Sequence, residues 1–106
     1  MSIKNVKTAG WAVHPGVILK TEFLDPNDIT PNHLAKELHV AAPTVNQIVL
    51  QRSGISAEMA SRLAKYFGTT EQFWLNLQDA FAVHDFKRKN GKKLEAIKPL
   101  MAGAGR

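Results

Sequence analysis

The chain contains no cysteine, which excludes disulfide bridges, thiolate catalysis and sulfur-ligated metal sites. It also lacks a run of about 18 consecutive apolar residues, the length that a membrane-spanning helix requires. Its first residues contain no apolar stretch long enough for a secretory signal, so we expect a cytoplasmic protein. A length of 106 residues suits one compact domain rather than two.

The local motifs of common enzyme classes are missing as well. The sequence has no GxxxxGK[ST], no GxGxxG and no GxSxG. None of the four histidines forms an HExxH motif or an i, i+4 pair. Their spacing therefore argues against a metal site. One of them, His14, precedes a proline and is better explained as a capping or packing residue. We therefore expect no catalytic residue, no metal and no cofactor.

Positive charge is concentrated near the C-terminus. The whole chain carries a net charge of +5, but residues 1–83 contain seven basic and seven acidic side chains. Residues 84–106 contain seven basic and two acidic side chains. A basic balance favours an anionic partner. Because the body is neutral, any binding of nucleic acid by the body must depend on where individual residues are placed.

Helical spacing of apolar residues dominates the sequence, whereas alternating strand patterns are scarce. Pro15 suits a first helical turn and Pro26 a helix end, which predicts a first helix over residues 15–24. Four more helices are predicted to begin near residues 30, 42, 56 and 69. The pattern predicts an all-α domain of five helices. We divide the chain into an N-terminal arm (1–13), a helical body (14–86) and a basic, flexible tail (87–106).

Capping residues mark several of these helix ends. Thr30 and Ser56 suit the starts of the second and fourth helices, because a hydroxyl oxygen can accept from a free backbone N–H. Gly68 suits the end of the fourth helix, where a left-handed backbone is common. Thr69 and Gln72 have the spacing of a capping box, which predicts that the fifth helix begins at Thr69.

Residues 31–50 carry the pattern on which the functional prediction depends. Two helices joined by so short a turn must cross steeply, and Ala35 provides the small side chain needed at the crossing. Val45 and Ile48 would anchor the second helix of the pair and leave its N-terminal face exposed. Such a helix fits the DNA major groove. An ordinary helical bundle can show the same spacing, and His39 replaces the usual turn glycine at some cost in stability.

Three segments then carry a resemblance to a known family: HPGVILKTEFLDP at 14–26, HLAKELHVAAPTVNQIV at 33–49 and ISAEMASRLAKYFGTTEQFWLNLQ at 55–78. They are similar to the HigA group of antitoxins, within the phage-repressor-like helix-turn-helix (XRE) proteins. The resemblance implies operator binding as a dimer, repression of the antitoxin's own operon, and neutralisation of a HigB-type toxin. Toxins of that type resemble RelE and cleave messenger RNA on the ribosome.

Carried onto this sequence, the resemblance assigns the DNA contacts to the third helix and its surroundings. Gln47 is the best candidate for base readout, because its amide can pair bidentately with adenine. Thr44 can hydrogen-bond a base or contact a thymine methyl group. Ala42 and Pro43 offer only apolar contact, so part of the specificity could come from DNA shape. Asn46 is expected beside these residues, and phosphate contacts are expected from Asn32, His33, Arg52 and Ser53.

The fifth helix is the expected homodimer interface. Its aromatic and aliphatic face, which suits either the core or a dimer seam, consists of Phe73, Trp74, Leu77 and Phe81. A two-fold dimer would present its third helices about 34–36 Å apart, so the double-stranded operator should be an inverted repeat. The basic tail is typical of a solvated segment. Its functional alternatives are attraction to DNA phosphates and contact with the toxin.

Two other functions remain open from the sequence. The chain could be a stand-alone transcriptional regulator of the same fold, which the absence of a neighbouring toxin gene would favour. It could also be a protein-interaction module that has lost DNA binding. The neutral body and the apolar Ala42-Pro43 start of the third helix motivate this last interpretation.

Overall fold

The computed structural model describes residues 12–100, and every regular element in this range is helical. The first helix, α1, spans Pro15–Ile18 and continues as a π-helix over Leu19–Leu24 and a 3-10 turn over Asp25–Asn27. The other helices are α2 (Pro31–Leu38), α3 (Ala42–Val49), α4 (Ala57–Phe67) and α5 (Glu71–Glu95). The all-α, five-helix prediction is confirmed. None of the described helices is both long and apolar enough to cross a membrane.

The end of α1 lies further along the chain than the sequence predicts. Pro26 lies within the 3-10 turn rather than stopping the helix. The reversal occurs at Asp28, whose backbone is left-handed with φ 54°. Proline fits here because the first turn of a new helical segment needs no N–H from it.

Three of the four predicted caps are present. The hydroxyl oxygens of Thr30 and Ser56 each accept a backbone N–H three residues ahead, at 3.1 Å. Gly68 ends α4 with φ 74°. The predicted capping box of α5 is wrong by one residue, because Thr70 caps the helix instead. The hydroxyl of Thr69 is occupied by the indole N–H of Trp74, at 2.7 Å.

The core lies where α1, α4 and α5 meet behind the α2–α3 pair. Trp74 has no exposed surface, and the rings of Phe23 and Phe73 lie 4.9 and 5.0 Å from it. Val45 and Ile48 of α3 belong to the same buried cluster, as predicted. Burying these two side chains stabilises the position of α3 by roughly 2 kcal/mol each.

The fifth helix extends into the predicted tail. It continues to Glu95, with one non-helical residue at Asn90. Asp85 forms ion pairs with Arg88 and Lys89 at the i+3 and i+4 spacings that support a helix. The predicted boundary at residue 86 therefore does not coincide with a helix end. The arm and the end of the tail fall largely outside the described residues, and the division into arm, body and tail stays a prediction.

Candidate nucleic-acid interface

The turn between α2 and α3 occupies residues 39–41. His39 has a left-handed backbone with φ 61° and ψ 43°, the conformation for which glycine is usual. The N–H of Val40 donates to the carbonyl of Ala35 at 3.0 Å, which closes the end of α2. Ala35 itself is buried, so the small side chain expected at the helix crossing is in place. Two short helices thus cross over a tight turn.

The exposed side of α3 borders an open groove. Pro43, Thr44 and Gln47 line it, and the buried Ile48 forms part of its floor, whereas Val45 of the same helix is fully buried in the core. The opposite wall comes from the segment after α3 and from the start of α4, and includes Ser53, Gly54 and Ser56. We call this feature the α3 groove; its volume is about 400 Å³. The predicted base-reading residues Thr44 and Gln47 therefore share one accessible surface.

Asn46 has a different environment from Gln47. Its Nδ2 donates to the carbonyl oxygen of Ala42 and to Oδ1 of Asn32, both at 3.0 Å. Both amide hydrogens are therefore used within the protein, and Asn46 links α3 to the first turn of α2. The side-chain nitrogen of Asn32, Nδ2, forms no hydrogen bond among the described residues. Of this pair, Asn32 is the better donor to a phosphate.

The other predicted phosphate contacts lie at the two flanks of α3. His33 is exposed on the first turn of α2, with Nε2 3.8 Å from Oε2 of Glu37. Arg52 and Ser53 are exposed in the segment that follows α3. Their backbone N–H groups both donate to the carbonyl of Gln47, at 2.8 and 3.2 Å. This segment is therefore held directly against the helix that borders the groove.

Two residues behind this segment, His14 and Gln78, support it. His14 is 7% exposed, and its Nδ1 accepts from the Gly16 N–H at 2.9 Å, as expected for a capping residue. Burial lowers the pKa of His14, and a hydrogen bond with the Ser53 backbone partly opposes that shift. Gln78 of α5 accepts the Ile55 N–H at 2.7 Å. The sequence analysis missed Gln78, because nothing local signals a contact across 23 positions.

The predicted dimer residues divide into two groups. Trp74 is fully buried in the single chain and Leu77 is only 9% exposed, so these two offer almost no surface to a partner. Phe73 and Phe81 are half-buried. Further along α5, Val83 and Phe86 are 54% and 45% exposed. The apolar surface available on α5 therefore lies beyond the core residues that the sequence pattern emphasised.

A steeply crossed helix pair, a tight turn and an exposed N-terminal face on the second helix define a helix-turn-helix protein. The sequence profile of the helix-turn-helix family matches residues 22–74. Virulence-associated protein I of Dichelobacter nodosus is 39% identical over 104 residues, which cover 98% of this chain and 95% of that protein.

Two further relatives are antitoxins. Antitoxin HigA-1 of Vibrio cholerae is 35% identical, over 89% of each chain. The antitoxin HigA of Pseudomonas aeruginosa, whose structure is known with the higBA promoter, is 50% identical to this chain in sequence. The two structures match with a TM-score of 0.81, over 84% of this chain and 98% of that one. This chain belongs to the HigA antitoxins of the helix-turn-helix family. The family is one of DNA-binding regulators rather than enzymes.

Proposed function

We propose that this chain is the antitoxin of a HigBA-type module and acts in the cytoplasm. It binds an operator as a homodimer, represses its own operon and neutralises a HigB-type, RelE-like toxin. The observation that carries the proposal is the division of α3 into a buried side and an exposed side. Val45 and Ile48 fix the helix, which leaves Thr44 and Gln47 accessible in the α3 groove. The structure of a relative together with a promoter supports the binding of operator DNA.

The homodimer is proposed to form through α5. The partly exposed edges of Phe73 and Phe81 and the more exposed Val83 and Phe86 supply apolar surface along this helix. An interface of this kind removes exposed apolar area from water, which favours association. Two-fold symmetry then places two copies of α3 about one helical turn of DNA apart, which requires an inverted-repeat operator.

DNA binding is tested by fluorescence anisotropy with the DNA upstream of the gene and with a scrambled duplex of equal composition. We expect a preference of about 10³ or more for the upstream DNA. Gln47→Ala should reduce that preference by roughly 10- to 100-fold, because one bidentate base contact is lost. Gln72→Ala is the matched control, since Gln72 is an exposed glutamine of α5 that hydrogen-bonds Asn76. Equal and strongly salt-dependent binding to both duplexes would favour the protein-interaction module instead.

Toxin neutralisation is tested by expressing the neighbouring gene with and without this chain. We expect growth arrest and messenger-RNA cleavage when the neighbouring gene is expressed alone, and rescue when both are expressed. Gln47→Ala should still rescue, because its side chain lies in the α3 groove that we assign to DNA. If the neighbouring product is not toxic and does not bind this chain, the chain is a stand-alone regulator.

A further inference from the structure

A second cavity adjoins the α3 groove on the side of α5. It has a volume of about 400 Å³ and connects the segment after α3 with the part of α5 that follows the core. Its charged and polar lining includes Arg52, Ser53, Asp85, Arg88 and Lys89. We call it the basic cavity. From the sequence, Arg88 and Lys89 are expected in a flexible tail, for which attraction to DNA phosphates is one of two functional alternatives.

Positive charge exceeds negative charge in this cavity. Asp85 is shared by two cations, with Oδ1 2.9 Å from Nη2 of Arg88 and Oδ2 3.1 Å from Nζ of Lys89. One carboxylate cannot neutralise both side chains. Arg52 adds a third cation and forms no ion pair within residues 12–100. The cavity therefore offers guanidinium and ammonium donors that suit a phosphate group.

The basic cavity is continuous with the α3 groove. Ser53 and Gly54 line both. Gly54 has no side chain, and a Cβ there would collide with the side-chain amide of Gln78. The strip that the two cavities share therefore consists of the backbone and the small hydroxyl of Ser53. A polyanion that lies along the exposed side of α3 can therefore continue into the basic cavity without crossing a bulky side chain.

We propose that the basic cavity binds a backbone phosphate of DNA, which makes α5 a second DNA-contacting helix. This phosphate lies beside the DNA major groove that α3 enters, and it is held by Arg52, Arg88 and Lys89. The inference rests on the proposed operator binding and adds a contact that does not read bases. The cavity is open and its cations are about 60% exposed, at 62% for Arg88 and 59% for Lys89, which suits a phosphate on a large ligand rather than an enclosed free ion.

The faces of α5 allow this contact and a dimer at the same time. At 100° per residue, Val83 and Phe86 lie about 140° and 160° around the helix from Arg88, so a dimer that uses these two residues leaves the basic cavity open. Phe81 lies on the same side of α5 as Arg88 and lines the basic cavity, so it does not serve both surfaces. Lys87 lies about 100° from Arg88 and is absent from the lining of the basic cavity. Lys87 is therefore a matched control of the same charge on the same helix.

The experiment compares Arg88→Ala with Lys87→Ala in salt titrations of operator and scrambled duplexes. Arg88→Ala removes one phosphate contact from each protomer of the dimer, so it should lower the slope of log Kd against log salt by about two. The loss of affinity between 50 and 200 mM salt should then be roughly tenfold smaller. Both duplexes should weaken equally, so the sequence preference stays unchanged. Lys87→Ala should change the slope by much less. Identical behaviour of the two variants would overturn the proposal.

Asp85→Asn tests the same cavity, and its expected effect on DNA affinity is opposite to that of Arg88→Ala. Removing the carboxylate frees Arg88 and Lys89, so both duplexes should bind severalfold more tightly. Weaker binding by this variant would contradict the assignment of the cavity to phosphate. Thermal unfolding of Arg88→Ala and Lys87→Ala should stay close to that of the unmodified chain, because these two side chains are exposed. Thermal unfolding of Asp85→Asn shows whether its tighter binding is accompanied by a change in stability, since Asp85 is only 26% exposed.

Neutral methylphosphonates placed singly along the operator backbone locate the phosphate. One substitution should weaken the unmodified chain and Gln47→Ala but leave Arg88→Ala unaffected. If no substitution shows this pattern, the cavity does not hold a DNA phosphate. Saturable binding of inorganic phosphate by the DNA-free chain at constant ionic strength, abolished by Arg88→Ala, would assign the site to a free anion and overturn the DNA assignment. The operator binding under Proposed function is tested separately, by whether Gln47→Ala loses the preference for operator DNA over the scrambled duplex.

Discussion

The two ends of α3 are held in different ways. At its N-terminal end the cap is Ala41, which has no side chain that can accept a hydrogen bond. Among residues 12–100, the side-chain hydrogen bond that ties this end to another helix joins Asn46 to Asn32. At the C-terminal end, Gly16 contacts the carbonyl of Ile48, and the following segment is fixed by His14 and Gln78. The end that we assign to DNA is therefore open, while the other end sets the direction of the helix.

This difference separates the residues that set the direction of α3 from the residues that read the DNA bases. Substitutions at the fixed end should change stability first and DNA binding as a consequence. Substitutions of the accessible side chains Thr44 and Gln47 at the open end should change DNA binding without unfolding the domain. A helix positioned from behind can present Thr44 and Gln47 without any supporting contact that would compete with DNA.

The largest effect is expected from Gly16→Ala at the fixed end. A Cβ at this position would collide with the backbone carbonyl of Ile48, and backbone cannot move aside as a side chain can. We expect the free energy of unfolding to fall by about 3 kcal/mol, the upper range for overpacking. Urea denaturation measures this change. DNA binding at 37 °C should fall with it.

Gly91→Ala is the control for that substitution. A Cβ at Gly91 meets nothing within 4 Å, and the residue lies inside α5. Alanine favours a helix over glycine, so this variant should gain about 0.5–1 kcal/mol. If Gly16→Ala is as stable as the unmodified chain, the close contact between α1 and α3 does not position the recognition helix.

A smaller effect is expected from protonation of His14. Its folded-state pKa lies below the ordinary value of 6.5, so the unfolded chain binds the proton more readily. Stability should be full above pH 6.5 and should decline as the pH falls from there toward the folded pKa. A protonated Nδ1 cannot accept from Gly16, so we expect a loss of about 1 kcal/mol, comparable to a lost cap.

Urea denaturation between pH 5 and 8 measures this dependence. His14→Asn keeps an acceptor for the Gly16 N–H but does not titrate in this range, so it should remove most of the decline. His33→Ala should leave the decline in place, because His33 is exposed on the other flank of α3. A decline that persists in His14→Asn would show that the histidine is not its source.

The open end was easier to predict from sequence than the fixed end. The spacing of Val45 and Ile48 with Ala35 is local, and it was enough to orient α3 and expose Thr44 and Gln47. The fixed end depends on contacts between distant segments, such as Ile55 with Gln78, which no local pattern encodes. The same limit explains why Trp74 was grouped with Phe73: periodicity identifies an apolar face but not which residues another helix covers.

One local prediction failed and one surface was not foreseen, for a related reason. Thr69 and Thr70 are equally suited to cap α5, and the choice follows from the indole of Trp74, which uses the Thr69 hydroxyl. Basic residues after position 86 resemble a solvated segment in composition. On α5, two of them share Asp85 and lie beside Arg52, an arrangement that only the path of the helix creates.

The smallest effect is expected from Ala41→Ser at the open end. Ala41 has φ −69° and ψ 146°, which suits a capping residue, so the new hydroxyl can accept the Thr44 N–H, which donates to the Ala41 carbonyl at 3.0 Å. The free energy of unfolding should rise by about 0.5 kcal/mol, whereas Ala82→Ser on the exposed side of α5 should lower it by a similar amount. Because the direction of α3 is set at its other end, the preference for operator DNA should not change. A tenfold loss of that preference in the stabilised variant would mean that the cap at this end also sets the direction of α3, and the separation of orientation from readout would fail.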